Sequence, residues 1–270
     1  MVVTASQDID SALAAAQRVV RVHERLVEFL RAGQTLAEID SFVARALKDL
    51  DCRSAFLRYS MQGHPPFRSH SCLSLNACIV HGEHNLTSEP IKSGDVLSVD
   101  VGVIHRGWVG DAAWTYAIES ATPEALRLMQ CGRESLRRGI AAMQPGRPLI
   151  DWARAVQQHA EKECGYHLVR GLGGHGYGRK LHGPPFVSNV LPKYRGEWPD
   201  AWTLFKPGML IAVEPMIAQG THLIQADAKA WPIYTADGSL AVHYEADVLI
   251  TEEGPRDLTE GLQDLPDIVG

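Results

Sequence analysis

Apolar residues recur three or four positions apart in several stretches of this chain, and such spacing places them on one face of a helix. The pattern predicts helices over residues 7–31, 35–50, 122–142 and 148–164. The second helix begins with Thr35 and Glu38 at the spacing of a capping box. The third begins with Thr122, followed by proline at the first helical position.

Apolar runs between and after these helices predict β-strands. Short strands are expected over residues 71–80, 210–213 and 240–251. The last of them has Glu245 in its middle. The stretch from Gly94 to Thr115 predicts a hairpin, because two apolar runs flank a tight turn at His105-Arg106-Gly107.

Each strand of this hairpin carries one aspartate. A turn centred on His105-Arg106 puts Asp100 directly opposite Asp111. Facing carboxylates lie about 5 Å apart at Cβ and repel, so an apolar strand accommodates them only if they share a proton or a cation. A turn centred on Arg106-Gly107 would shift the pairing by two residues. The alternative is that both aspartates lie near the turn and are solvated. The hairpin alone does not distinguish this from a shared proton or cation.

An internal repeat relates the two parts of the chain. Residues 92–100, KSGDVLSVD, match residues 206–214, KPGMLIAVE, at an offset of 114, and residues 32–36 match 145–149 at an offset of 113. We expect one domain over residues 1–270, built from two related halves, about 1–121 and 122–270, unless the short matches are coincidental.

The repeat pairs Asp100 with Glu214, so each half supplies two acidic residues: Asp100 and Asp111, then Glu214 and Glu245. Four carboxylates converging around a twofold axis would repel strongly without cations. Two divalent ions would neutralise them.

A glycine-rich run, residues 173–185, contains His175 and His182. Their spacing of seven does not fit a zinc-binding helix, and no Lys-Ser/Thr follows the glycines as in a phosphate loop. The glycines allow close backbone approach or positive φ. We expect both histidines in a loop before the strand of Glu214, with His81 placed similarly before the hairpin. A purely structural role is the alternative.

Composition narrows the class of protein. The chain has 270 residues, a net charge of −6 and no cluster of Lys and Arg, which argues against nucleic-acid binding. Five cysteines without a Cys-x-x-Cys pair argue against a disulfide framework or a zinc finger and for a reducing compartment. The first apolar run is short and amphipathic, and no segment has 18 apolar residues in a row. A cytoplasmic protein without membrane contact is expected.

Five residues occur in a characteristic order: Asp100, Asp111, His175, Glu214 and Glu245. With the motif GHGYGRKLHGPP around His175 and VEPM around Glu214, the chain resembles the type I methionine aminopeptidases. The resemblance extends from about residue 10 to 260. It implies the α+β pita-bread fold, in which helices cover an antiparallel sheet with pseudo-twofold symmetry. It also implies that Asp111 and Glu245 bridge two metal ions, that Asp100 completes one site, and that His175 and Glu214 complete the other.

The resemblance assigns chemistry as well. A hydroxide activated by two divalent ions (Co²⁺, Mn²⁺, Fe²⁺ or Zn²⁺) would remove the N-terminal methionine from nascent or short peptides with a small second residue. His81 would contact the substrate amide, His182 the scissile carbonyl or its tetrahedral intermediate, and Glu214 would shuttle protons. The expected partners are nascent polypeptide N-termini, with association to the ribosome left open, and the expected state is a monomer.

The methionine pocket departs from the family pattern in part. Cys72 and Trp231 match it, and Phe67 replaces a tyrosine. Less usual residues stand at three further positions: Met61, His64 and Leu181. An Xaa-Pro dipeptidase or proline aminopeptidase is the alternative enzyme, and a non-catalytic binding protein on the same fold is the alternative from another class.

Overall fold

The predicted helices are present in a computed structural model of the chain, which describes residues 2–270. They span Ser6–Phe29 (α1), Leu36–Asp49 (α2), Pro123–Ala142 (α3) and Ile150–Gln157 (α4). A π-helical turn, Gln158–Glu163, continues α4, and 3₁₀ turns occupy Pro199–Trp202 and Glu260–Asp264. Thr35 and Glu38 form both hydrogen bonds of the capping box, which confirms the predicted start of α2. Within residues 2–270, no helix is long and apolar enough to span a bilayer.

Short strands surround one long hairpin. In chain order they are Arg53–Ser54 (β1), Cys72–Leu75 (β2), Cys78–Val80 (β3), Val96–His105 (β4), Trp108–Ile118 (β5), His167–Leu168 (β6), Gly173–Gly176 (β7), Gly183–Ser188 (β8), Leu210–Val213 (β9), Met216–Ala218 (β10), Ile224–Ala226 (β11), Ile233–Thr235 (β12), Ala241–His243 (β13), Ala246–Ile250 (β14), Pro255–Asp257 (β15) and Ile268–Val269 (β16).

Two larger sheets carry the architecture. One has the order β1-β4-β5-β16 with β2 also on β4, and the other has the order β15-β14-β9-β7-β8. Two smaller sheets, β13-β10-β6 and β11-β12-β3, complete the set. Helix α1 packs on β4 and β5 through its buried stripe, and α3 packs against β10 and β13. Helices therefore cover mostly antiparallel sheets, and the predicted α+β class is confirmed.

The two larger sheets meet at the middle of β5. The Glu245 N–H donates to the Ala113 carbonyl at 2.9 Å, and the Asp111 N–H donates to Asp247 Oδ2 at 2.9 Å. These bonds tie the hairpin to the C-terminal strands, and the acids on both sides come together there.

The hairpin has the second of the two registers that the sequence left open, the one with its turn centred on Arg106-Gly107. Asp100 pairs with Ala113, and Asp111 pairs with Gly102, so the two aspartates are diagonal neighbours on one face. The turn is the two-residue loop Arg106-Gly107, with φ of +50° and +80°. Two positive φ values are typical of a type I′ turn, which matches the twist of the strands and favours glycine at its second position. Asp100 therefore does not lie directly opposite Asp111, but both still point to the same side.

Two predicted strands are interrupted. Residues 71–80 form β2 and β3 rather than one strand, because Asn76 adopts φ +53° and its side chain bonds Asp95 and the Val96 N–H. Residues 240–251 form β13 and β14, so Glu245 lies between two strands and not within one. The chain changes sheets at this point, since β13 pairs with β10 and β14 pairs with β9.

His175 lies on a strand, β7, and not in a loop as expected. A Cβ on Gly174 would lie 2.2 Å from the Ala212 carbonyl oxygen, and one on Gly176 would lie 2.1 Å from the Pro184 carbonyl oxygen. The glycines on both sides of His175 thus allow neighbouring backbones to approach closely, without a positive φ.

Gly174→Ala is expected to destabilise the protein by roughly 1–3 kcal/mol, because the added methyl group must displace backbone atoms of β9. Gly183→Ala is the matched control, since its Cβ would meet only the Gly176 carbonyl oxygen at 3.4 Å. Urea unfolding of both variants measures the difference. Equal stability of Gly174→Ala and the parent protein would show that β7 and β9 are not packed as described.

Candidate active site

One cavity of about 370 Å³ collects most of the residues that the sequence singled out. Its walls include Phe67, Cys72, His81, Asp100, Asp111, His175, Leu181, His182, Glu214, Trp231, His243 and Glu245. Acids and imidazoles form one end, and apolar side chains form the other. The cavity has the form of a small-molecule or peptide-end site, apolar with a few convergent polar groups.

The acidic end is built where strands of the two sheets end or cross. Asp100 and Asp111 project from β4 and β5. Glu214 directly follows β9 and Glu245 directly precedes β14, and the pairing of Ala246 with Val213 places these two glutamates next to each other. Both strands break at this level, so their glutamates turn into the cavity. Glu245 is 2% exposed and Asp111 is 3% exposed.

Two imidazoles face these carboxylates. His175 Nε2 lies 3.8 Å from Asp111 Oδ2 and 3.9 Å from Glu214 Oε1. His243 Nε2 lies 3.4 Å from Glu214 Oε2 and 3.9 Å from Glu245 Oε2. His243 is not among the site residues predicted from the sequence. Its position two residues before Glu245, on the same face of an extended segment, was the available signal.

Burial drives the acidic groups towards their neutral forms. Desolvation raises the pKa of Asp100 to about 7 and that of Glu214 to about 8. Desolvation and neighbouring carboxylates also raise the pKa values of Asp111 and Glu245 well above their usual range. A group of carboxyls that holds protons at neutral pH accepts cations in their place.

Burial acts on the imidazoles in the opposite sense. Desolvation, with a smaller effect of His182, lowers the pKa of His175 to about 3. Desolvation also lowers the pKa values of His81 and His243 to about 4. These rings are neutral at physiological pH, which is the form that binds metal ions.

The donor set fits two cations. Asp111, His175 and Glu245 offer donor atoms within 4.8 Å of one another, and so do Glu214, His243 and Glu245. Glu245 belongs to both groups. Within residues 2–270, Asp100 Oδ1, Asp111 Oδ1 and His243 Nε2 are buried without a hydrogen-bond partner, as expected of atoms placed for ligation.

The apolar end is centred on Trp231, which is 5% exposed. Its indole Nε1 donates to the Pro65 carbonyl at 2.7 Å, which fixes the ring. Phe67 packs edge-on against it with ring centroids 5.5 Å apart, and His64 lies at 4.9 Å. Buried Cys72 and Leu181 complete the walls, and Met61 lies at the mouth with 47% of its surface exposed. Cys72 pairs with Asp100 across β2 and β4, so the apolar and acidic ends adjoin.

Two further histidines stand between the ends. His182 Nδ1 lies 2.7 Å from the Tyr59 hydroxyl, and its ring centroid lies 4.3 Å from that of His175. His81 adopts φ +60° directly after β3, with its ring 6.0 Å from Trp231. A left-handed conformation at a non-glycine residue costs energy and is often retained at functional sites. Tyr59 is not among the site residues predicted from the sequence, because no spacing in the chain links it to His182.

Comparison with known proteins agrees with this geometry. Residues 10–252 match the model of metallopeptidase family M24. The methionine aminopeptidase of Aquifex aeolicus is 34% identical over 259 residues, covering 94% of this chain and 96% of the relative.

Structural comparison extends the likeness. The crystal structure of methionine aminopeptidase from Thermotoga maritima superposes with a TM-score of 0.86 at 30% identity, covering 96% of this chain and 99% of that one. Prolidase from Pyrococcus furiosus shares the fold alone, with a TM-score of 0.73 at 21% identity, and this chain covers 65% of it. The expected pita-bread fold is confirmed. The chain therefore belongs to metallopeptidase family M24 and, within it, to the methionine aminopeptidases.

Proposed function

We propose that this protein removes the N-terminal methionine from nascent or short peptides with a small second residue, and that it uses two divalent metal ions. The observation that carries the proposal is the shared position of Glu245 in two ligand groups beside an apolar pocket. Where the acidic end of the cavity meets the apolar end, a free α-amine and an unbranched apolar side chain of one residue would be bound together.

The residues that would hold the two ions are Asp100, Asp111, His175, Glu214 and Glu245, and Asp111 and Glu245 would be shared between them. Divalent ions at this place would supply Lewis-acid polarisation of the scissile carbonyl and a lowered pKa of the attacking water. Carboxylate and imidazole ligands suit Mn²⁺, Fe²⁺, Co²⁺ and Zn²⁺ alike. His243 Nε2 lies 3.4 Å from Glu214 Oε2 and 3.9 Å from Glu245 Oε2 without a hydrogen bond, and it is a further donor available to an ion held by these two carboxylates.

His182 and His81 would hold the substrate backbone. When the Tyr59 hydroxyl donates to His182 Nδ1, the hydrogen of this neutral ring lies on Nε2, which can donate to the scissile carbonyl oxygen. His81 lies between this position and Trp231, where it can contact the amide that follows the first residue. Glu214 is the carboxylate we assign to proton transfer, because it lies at the end of its strand and is less buried than Glu245.

The first-residue pocket would take methionine. Its walls come from Phe67, Cys72, Leu181 and Trp231, which form an apolar space without a charged side chain. The unbranched thioether adapts to such a space and makes favourable contacts with aromatic rings. The fit of a side chain to an apolar pocket discriminates weakly between similar substrates, by about 1–3 kcal/mol per methylene. Peptides that begin with norleucine should therefore be substrates as well.

A peptide panel tests this assignment. Peptides X-Ala-Ser with X as Met, norleucine, Leu or Pro, and Met-X-Ser with small and large X, separate the candidate activities. We expect cleavage of Met and norleucine peptides, and a decline as the second residue grows. Preferential cleavage before proline would favour the prolidase alternative. Failure to cleave any peptide with either Mn²⁺ or Co²⁺ would favour a binding protein.

The cellular setting is part of the same proposal. All five thiols are free, which suits a reducing compartment, and we place the protein in the cytoplasm. Its partners would be the N-termini of nascent chains, and it would act as a monomer.

A further inference from the structure

A second group of potential metal ligands lies outside the peptidase cavity. Cys131 on α3 and His159 and Cys164 at the π-helical turn bring two thiols and one imidazole together, with donor atoms within 4.8 Å of one another. These residues do not line the cavity described above. Cys131 and His159 are buried, and Cys164 is half-buried, so the group is accessible from one side.

The π-helical turn is what brings His159 and Cys164 together. The Cys164 N–H donates to the His159 carbonyl at 2.9 Å, which is the i→i+5 bond of a π-helix. In an α-helix, residues five apart point about 140° away from each other, because each residue turns by 100°. The wider turn places the second side chain over the first, and the Cys164 sulfur lies 3.5 Å from His159 Nε2.

This separation fits a tetrahedral metal ion. With metal–sulfur and metal–nitrogen bonds of about 2.3 Å and 2.0–2.1 Å, neighbouring ligands of a tetrahedral zinc lie about 3.6 Å apart. Cys131 completes a face of three ligands, and because Cys164 is half-buried, solvent can supply a water molecule as the fourth.

The imidazole is also held for ligation. Glu163 Oε2 lies 3.0 Å from His159 Nδ1, and Arg138 Nη1 lies 2.6 Å from the same carboxylate oxygen. A carboxylate on Nδ1 places the ring hydrogen there and leaves the lone pair on Nε2, facing the thiols. Carboxylate–histidine pairs of this kind orient the ligands of many metal sites.

We propose that Cys131, His159 and Cys164 bind one zinc ion, which links α3 to the π-helical turn. Two soft thiolates and one imidazole favour Zn²⁺ over the harder Mn²⁺, in contrast to the oxygen-rich ligands of the peptidase cavity. Binding releases the two thiol protons to solvent, and no oxidant or reductant takes part. This site is independent of the peptidase reaction.

Cobalt spectroscopy tests the site on the reduced full-length protein. Co²⁺ bound by thiolates gives an intense sulfur-to-metal charge-transfer band, which carboxylate and imidazole ligands do not give. We expect Co²⁺, added in excess of the two ions that the peptidase cavity would take, to produce this band, and Zn²⁺ to abolish it. Absence of the band in the reduced parent protein would overturn the proposal. This holds even if Cys131 and Cys164 formed a disulfide before reduction, because reduction frees both thiols.

Variants assign the band to these residues. Cys164→Ser is expected to remove it, whereas Cys52→Ser, the control at another half-buried cysteine, is expected to retain it. Glu163→Gln changes an exposed residue and keeps all three ligands, and it is expected to weaken metal binding about 10–100-fold. A band that persists in the Cys131→Ser/Cys164→Ser double variant would overturn the proposal. If the variant with Cys131→Ser does not fold, the loss of the band in Cys164→Ser and the weaker binding in Glu163→Gln test the proposal instead.

Discussion

Glu245→Ala is expected to lower kcat/KM for a Met-Ala-Ser peptide by roughly 10³-fold or more and to remove at least one bound ion per chain. The reason is its shared position, since Glu245 belongs to both donor groups of the cavity. Losing it weakens both sites at once, and metal ions contribute several kcal/mol to the stabilisation of the transition state. Steady-state kinetics and metal analysis after dialysis measure the two effects.

Two controls separate ligation from packing. Glu245→Gln keeps the volume of the side chain and is expected to lose activity like Glu245→Ala, because a neutral amide is a poor bridging ligand. Glu252→Ala removes an exposed carboxylate seven residues away and is expected to leave activity unchanged. If Glu245→Ala retained two tightly bound ions, the bridging role assigned to this residue would be wrong.

Chelated protein is expected to lose roughly 1–3 kcal/mol of stability between pH 6.5 and pH 8. The folded-state pKa values of Asp100 and Glu214 are raised to about 7 and about 8, while the unfolded chain has ordinary values near 4. Above pH 4 the folded metal-free state therefore binds more protons than the unfolded state. Stability then falls as pH rises, by about 1.4 kcal/mol per pH unit for each such group, until the folded pKa is passed.

The buried histidines make the choice of pH window important. Desolvation lowers the folded-state pKa values of His23, His81 and His243 to about 4, and that of His175 to about 3. These groups add stability as pH rises towards 6.5, which opposes the carboxyls. At pH 6.5 about half of each unfolded histidine is still protonated, so the histidines oppose the carboxyls there, and only above about pH 7.5 do the carboxyls alone determine the slope.

Urea unfolding at pH 6.5 and pH 8, with chelator and with Mn²⁺, measures this linkage. Added Mn²⁺ should stabilise more at pH 8, because it no longer competes with protons for the carboxylates. Asp100→Asn is expected to reduce the slope in the chelated protein. A stability that is independent of pH in this window, with or without chelator, would show that the acids are not buried together.

The sequence predicted the fold well where local chemistry determined structure. Thr35 and Thr122 cap their helices as predicted because an N-terminal cap depends only on residues three positions away. The antiparallel β4–β5 hairpin was also predicted from its apolar runs. Its register stayed open between two turns, because a shift of two residues keeps every side chain on its face. The positive φ values at Arg106 and Gly107 select the second turn.

Long-range contacts explain the other differences. The strands predicted over 71–80 and 240–251 break where the chain passes from one sheet to another, and such a change depends on distant partners. Tyr59 enters the site through tertiary packing, since it stands 123 positions before His182 along the chain. The acids and His175 were predictable because the internal repeat and the family motifs carry them. The division into two related halves, and the roles assigned to individual ligands, stay predictions.

Metal-dependent cleavage of Met-Ala-Ser is the measurement that tests the central claim most directly. Protein freed of metal by chelator and dialysis is assayed while Mn²⁺ or Co²⁺ is titrated back. We predict no cleavage without metal, recovery that tracks the ions bound in the cavity, and release of free methionine as the only amino-acid product. Full activity of the metal-free protein, or no recovery with any divalent ion, would contradict the two-metal account.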